Sequence, residues 1–163
     1  MSRLPKPKKL DGVTPSRSAL MGRIRGSNTK PEIAVRSMAH KLGFRFRLNR
    51  RSLPGSPDLV FPRLQKIVFV HGCFWHRHPG CSRTTNPKTR ESFWRAKFER
   101  NVERDKQILE QLHSTGWDCL VIWECETFDR SSLRKKLKQF LSRPQKQKRP
   151  DLPIRPKRKT LLG

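Results

Sequence analysis

Between Val70 and Cys81 the chain gathers three of its five histidines and two of its four cysteines, in the run Val70-His71-Gly72-Cys73-Phe74-Trp75-His76-Arg77-His78-Pro79-Gly80-Cys81. Thiolate and imidazole are the donors a tetrahedral zinc ion takes. Cys73, His78 and Cys81 could supply three ligands, and Cys125, just past an apolar segment at 117–123, the fourth. A closed Cys3His set leaves no coordination position open, so such a zinc would be structural. The plainer alternative is that small cysteines pack as core residues; a histidine between two of them favours metal. Cys119, inside the apolar segment, reads as a buried thiol, and His40 and His113 as surface or helix-end residues.

A second chemistry sits upstream. Asp58 follows Pro57 at the end of a Gly/Pro turn, Leu53-Pro54-Gly55-Ser56-Pro57. A carboxylate there can hold Mg2+, a hard cation that prefers oxygen, although Asp after Pro is ordinarily a turn or cap residue. If the strand it opens pairs with the next one, Asp58 comes to lie beside His71 and His76. A carboxylate-held cation next to an imidazole base can activate water against a phosphodiester. Glu32, on a helix, could join as an orienting acid, or could simply answer the dipole at a helix N-terminus. Phe74, Trp75 and Trp94, with Arg77, Arg83 and Arg90 around them, suit wedging between base pairs better than core packing. Trp117 and Trp123 read as core.

The elements that must position these residues alternate. A helix is expected from Asn28 or Thr29 to Lys41, with Pro31 in its first turn, an apolar stripe of Val35, Met38, Ala39 and Leu42, and Gly43 at its end. Alternation over Phe44–Leu48 predicts a strand, Asp58–Phe61 a short one, and Lys66–Val70 a buried one. A long helix should run from Lys88 to His113, with Trp94, Phe98, Val102, Asp105, Ile108, Leu109 and Leu112 at helical spacing and Gly116 as its stop. A strand over Trp117–Trp123 and a helix over Ser131–Leu141 complete a mixed α/β sheet flanked by helices.

With 38 Lys and Arg against 13 Asp and Glu, the formal net charge is +25, which makes a polyanion the expected partner. Nucleic acid is favoured over acidic membrane: no apolar run approaches the roughly 20 residues of a spanning helix, and the amino terminus has no apolar signal core. A reducing, cytoplasmic setting follows, in which a Cys/His cluster reads as metal binding rather than disulfides. The Pro/Lys-rich stretch 1–16 and the basic stretch 142–163 are expected to be flexible arms around one domain at 17–141.

Five separated blocks carry a family likeness: Ser52-Leu53-Pro54-Gly55-Ser56-Pro57-Asp58, His71-Gly72-Cys73-Phe74-Trp75-His76, Phe93-Trp94, Asn101-Val102-Glu103-Arg104-Asp105 and Trp123-Glu124-Cys125. In this order they make the chain, from about Pro15 to Thr127, resemble the very-short-patch repair (Vsr) mismatch endonucleases. The resemblance implies a restriction-endonuclease-like fold and a Mg2+-dependent nick 5′ of the thymine in a T:G mismatch left by 5-methylcytosine deamination. It implies Asp58 as metal-binding aspartate, His71 and His76 as catalytic histidines, Glu32 as the first-helix acid, and Cys73, His78, Cys81 and Cys125 as structural zinc ligands. It also implies Phe74, Trp75 and Trp94 as intercalating aromatics, joined by Met21. The expected partner is a T:G-bearing duplex, with mismatch-repair proteins and a repair polymerase downstream, and the expected state is a monomer in the cytoplasm, nucleoid-associated when bound to DNA. The chain departs from the family pattern in three places. Val70 stands where the pattern has Thr, which is harmless if that position offers metal only its backbone carbonyl. Pro79-Gly80 lengthens the loop before Cys81. The superfamily's acid-x-Lys is replaced by Val70-His71. The competing readings are a restriction-type nuclease of other specificity and a non-enzymatic zinc-containing nucleic-acid-binding protein.

Overall fold

The computed structural model describes residues 28–48 and 50–144. Met21, the amino-terminal arm and most of the carboxy-terminal stretch lie outside them. The described chain is a mixed α/β fold. Its four-stranded sheet has the order β1 (Arg47–Leu48), β2 (Leu59–Phe61), β3 (Lys66–His71), β4 (Asp118–Trp123), and three helices cover it: α1 (Lys30–Lys41), α2 (Glu91–Ser114) and α3 (Arg130–Ser142). β1 and β2 are antiparallel, as are β2 and β3, while β3 and β4 run parallel with α2 as their crossover.

Local chemistry explains the helix ends. Thr29 caps α1, its hydroxyl donating to Glu32 Oε1 at 2.8 Å and accepting from the Glu32 N–H, while Glu32 Oε2 accepts the Asn28 N–H at 2.9 Å. α2 closes with Gly116 N–H to the His113 carbonyl and Trp117 N–H to the Leu112 carbonyl, the paired bonds of a left-handed stop that glycine accepts without strain at φ +83°. At the carboxy end of α3, buried Lys66 reaches from β3 to place its ammonium 2.5 Å from the carbonyls of both Phe140 and Arg143. That positive charge answers the helix's exposed carbonyls and negative pole.

Two apolar layers form, one on each face. Val35, Met38 and Ala39 of α1 and Leu133, Leu137, Phe140 and Leu141 of α3 pack with Leu59, Phe61, Val68 and Ile122. On the opposite face, Ile108, Leu109 and Leu112 of α2 cover Val60, Ile67, Phe69 and Val121. Side chains alternate along β3, so Phe69 and His71 point to the α2 face and Val68 and Val70 to the other. Gly55 passes tight under α2: a Cβ there would sit 2.7 Å from Ile108 Cγ2.

Several expectations are corrected. The strand predicted over Phe44–Leu48 shrinks to Arg47–Leu48, because Phe44 and Phe46 leave the ladder and pack edge-on against Phe61. α2 begins at Glu91 rather than Lys88, after Arg90 at φ 55°. Val102 is 45% exposed and not part of the buried stripe, since the sheet lies beneath only the second half of α2. Trp123 is not core; its ring stacks on His78.

Candidate active site and metal centre

The sheet register brings the distant parts together. β2 pairs with β3 through Leu59 opposite Val68, so Asp58 arrives at the end of β3, where its Oδ2 accepts the Val70 N–H at 2.8 Å. Burial, the largest effect, pushes the Asp58 carboxyl up from 3.8 to about 6. The Val70 N–H opposes that, the Glu32 carboxylate adds to it, and Arg36 and His76 oppose it. A half-buried carboxylate with a second carboxylate near enough to repel it is a pair whose charge a divalent cation would answer. Glu32 itself, 6% exposed, is engaged by Asn28, Thr29 and the Arg36 guanidinium at 2.9 Å.

His71 and His76 lie together on the α2 face, rings stacked with centroids 3.9 Å apart. His76 Nδ1 meets Asp105 Oδ2 of α2 at 2.5 Å. Burial would raise the Asp105 carboxyl, and the His76 bond and charge overcome it to leave Asp105 below its ordinary value. Burial, with the His76 charge behind it, lowers His71 to about 4, so the imidazole is neutral at physiological pH. An imidazole held by a carboxylate, with no partner on its far nitrogen among the described residues, is the arrangement of an oriented general base.

The loop between β3 and α2 folds back on itself. His76 N–H bonds the Gly72 carbonyl, His78 N–H the Cys73 carbonyl, and the Thr84 hydroxyl the carbonyls of both Cys73 and His78. Cys73, His78, Cys81 and Cys125 present ligand atoms all within 4.8 Å of one another. His78 Nδ1 is 3.7 Å from Cys73 Sγ and 3.3 Å from Cys125 Sγ. Zinc at ordinary bond lengths in a tetrahedron separates N and S donors by about 3.5 Å, so the set fits that ion. Burial pushes the Cys73 thiol up to about 12, and a cation's charge is what would hold it as thiolate. Cys125 reaches the loop because β4 is parallel to β3, with Trp123 opposite His71. The short helical turn Glu124–Thr127 that bears it is fixed by Glu126, which accepts the Trp123 N–H and both approaches of Lys136. Cys119 lies among the apolar residues under α2, its thiol also pushed up by burial to about 12.

Phe74, Trp75 and Trp94 meet as one aromatic cluster: Phe74 lies 5.0 Å from Trp75 and 5.9 Å from Trp94, and 5.1 Å from Phe98 beneath. Lys97 Nζ lies 5.1 and 5.4 Å from the Trp75 and Trp94 rings, and the Arg77 guanidinium 4.3 Å from Phe98. Asn101 ties the loop to α2 by donating to the Trp75 carbonyl. A groove of about 690 Å³ opens beside Trp94 and Phe98.

Sequence reasoning placed Asp58, His71, His76 and the Cys/His residues near one another, and the fold brings them there. It counted Asn101 and Asp105 in one family block without giving either a part in the site, although a carboxylate on the apolar stripe of a helix was the signal available for Asp105. The contact of Trp123 with His78 it did not find.

Comparison with known proteins follows the same lines. The family model for the DNA mismatch endonuclease Vsr matches residues 10–83. The chain is 46% identical over 132 residues to the type II nicking enzyme V.XorIIP of Xanthomonas oryzae pv. oryzae, covering 80% of this chain and 96% of that one. It is 37% identical over 129 residues to the type II nicking enzyme V.NmeAIP of Neisseria meningitidis, covering 79% and 91%. It is 39% identical over 118 residues to the DNA mismatch endonuclease Vsr of Escherichia coli, covering 72% and 75%. Such identity across most of each relative, over a fold that converges an acid and two imidazoles on one strand end, decides the assignment: the chain belongs to the Vsr family of DNA mismatch endonucleases.

Proposed function

We propose that this protein nicks double-stranded DNA on the 5′ side of the thymine in a T:G mismatch, the product of 5-methylcytosine deamination, and so opens very short patch repair. The observation that carries the proposal is the convergence at the end of β3 of a half-buried carboxylate, a carboxylate-oriented imidazole and a cationic aromatic cluster. The four-stranded mixed sheet with helices on both faces supports a restriction-endonuclease-like fold.

Asp58 would hold Mg2+, with Glu32 close by and the Val70 backbone carbonyl as a further oxygen. When bound, that ion supplies charge stabilisation to the phosphate and the leaving oxygen. The protein's own groups do the rest. Asp105 accepts the Nδ1 proton of His76, which leaves Nε2 free to take a proton from the attacking water. His71, neutral and stacked on His76, assists at the scissile phosphate. Cys73, His78, Cys81 and Cys125 would hold zinc, which would fix the loop that carries His76 and the aromatics.

Phe74, Trp75 and Trp94 are the mismatch probe, with Met21 from the amino-terminal segment. A T:G wobble stacks and pairs less well than a Watson–Crick pair. Inserting rings beside it therefore costs less than the few kcal/mol needed to open an intact step. The net charge of +25 supplies sequence-independent affinity for the duplex. A monomer working in the cytoplasm at the nucleoid, alongside mismatch-repair proteins and a repair polymerase, accords with this activity.

The test is cleavage of two duplexes of one sequence, one matched and one carrying T:G, with and without Mg2+, by wild type and by Asp58→Ala. Mg2+-dependent nicking confined to the T:G duplex, absent in the variant that still binds DNA, supports the proposal. Equal cutting of both duplexes would mean a restriction-type nuclease, and binding without cutting a non-enzymatic zinc protein.

A further inference from the structure

The two imidazoles are oriented by different means. His76 has Asp105 at 2.5 Å. The His71 imidazole has no hydrogen-bond partner among the described residues; Asp105 lies within 4.8 Å of it, and its ring contacts are His76 at 3.9 Å, Trp123 at 5.5 Å and 76°, and Phe69 at 5.9 Å. Of these, Trp123 has a second attachment. Its ring lies face to face with His78, centroids 4.3 Å apart and planes 9° from parallel. A continuous line of rings thus runs from the zinc-type cluster to the general base: His78, Trp123, His71, His76, ending on Asp105.

The backbone dictates this line. Trp123 is the residue of β4 opposite His71 of β3, so the parallel ladder places both side chains on the α2 face as neighbours. The Trp123 N–H is held by Glu126, and Glu126 by Lys136 of α3, so the indole stands on a supported backbone. Cys125 follows two residues later and faces His78 at 3.3 Å. Only a side chain with a broad face and a separate edge can cover one imidazole while touching another, and indole has both.

We propose that Trp123 is a positioning residue of the active site: clamped on the metal-cluster residue His78, it sets the orientation of the stacked His71–His76 pair. The proposal rests on the nicking activity proposed above. It assigns Trp123 a part in turnover and not in DNA affinity, because it touches the imidazoles and stands apart from the aromatic cluster of Phe74, Trp75 and Trp94. The loss expected is in the rate of the chemical step.

The test compares full-length wild type, Trp123→Leu and Trp123→Phe on a T:G duplex with Mg2+. It measures the single-turnover rate constant at saturating enzyme, the duplex Kd, and zinc content by elemental analysis. Wild type must nick first; if it does not, the nicking proposal fails before Trp123 is in question. Misorientation of a catalytic group should slow Trp123→Leu about tenfold and Trp123→Phe, which keeps part of the ring contact, about threefold. One zinc per chain and a wild-type Kd in both variants are expected alongside. A Trp123→Leu rate within about twofold of wild type overturns the proposal. So does a loss of rate matched by an equal loss of DNA affinity, or a phenylalanine variant no better than leucine. Should the leucine variant not fold, the phenylalanine variant decides: a wild-type rate overturns the proposal, and a threefold slower rate with zinc and Kd retained supports it.

Discussion

Asp58→Asn should make the protein more stable while abolishing its nicking. The structure keeps the Asp58 carboxyl at about 6 rather than 3.8, with burial as the main cause and the Glu32 charge contributing. The sign follows from linkage. A carboxyl whose folded value is raised favours the folded state when protonated; that contribution is complete below about pH 4 and lost as pH rises through about 6. At pH 8 the ionised group therefore costs the fold about 3 kcal/mol relative to its neutral form, at about 1.36 kcal/mol per pH unit. Asparagine is neutral throughout and can still accept the Val70 N–H, though an amide accepts less strongly than a carboxylate, by about 1 kcal/mol. The net gain expected at pH 8 is about 1–3 kcal/mol, or a rise of roughly 4–12 °C in Tm for a domain of this size. Thermal unfolding in Mg2+-free buffer measures it, and the gap between variant and wild type should close as pH falls toward 4. Saturating Mg2+ should raise the wild-type Tm and leave the variant's unchanged, since an ion that binds only the folded state stabilises it. A variant less stable than wild type at pH 8, or a gap that persists at pH 4, would refute the electrostatic reasoning. Stability and function would then not be opposed at this carboxylate.

Three further outcomes are expected. Cys125→Ser should lose one equivalent of zinc and lower the unfolding midpoint by several kcal/mol equivalent, because a structural metal's binding energy is folding energy; an unchanged zinc content would exclude the site. Asp105→Asn should slow nicking about 10²-fold with duplex Kd unaltered, because the amide can leave His76 with the wrong tautomer, and a wild-type rate would show that His76 needs no orienter. Trp75→Ala should reduce the ratio of T:G to matched-duplex affinity about tenfold, the scale of one lost base–aromatic stack; equal weakening on both duplexes would make Trp75 a packing residue.

The parts of this fold that sequence reveals are those fixed by neighbours in the chain. Thr29, Pro31 and Gly43 bound α1 by local hydrogen bonding and backbone preference, so its limits are legible without any tertiary contact. Cys125 is also legible, because a parallel neighbour of β3 has to return its carboxy end to the loop that β3 feeds. What depends on packing is hidden. Phe44 and Phe46 alternate with basic residues as a strand would, yet their rings find Phe61 and the ladder shortens to two residues. Asp105 sits on a helix whose every other turn carries acids and bases, and its partner His76 is 29 residues away. Trp123 has the hydrophobicity of a core residue, and its neighbours His71 and His78 become visible only once β3 and β4 pair and the loop folds back.

The loop from residue 72 to 90 has neither helix nor strand to orient it, yet it holds His76, Phe74 and Trp75. A segment that long and irregular would ordinarily sample many conformations, and a base or wedge displaced by an ångström loses most of its value. The chain meets this with restraints at every few residues: Cys73 and His78 at the metal-type cluster, Asn101 on the Trp75 carbonyl, Asp105 on His76, Arg77 on Thr85 and Asn86. Asn101 and Asp105 lie four residues apart, one turn of α2, so a single helical face fixes both Trp75 and His76. The spacing between the proposed mismatch probe and the proposed cutting centre is therefore set by α2 and the cluster together. Residues with such different proposed roles can therefore be interleaved along one short stretch: their separation in space is ruled by what each is tied to, not by their order in the chain.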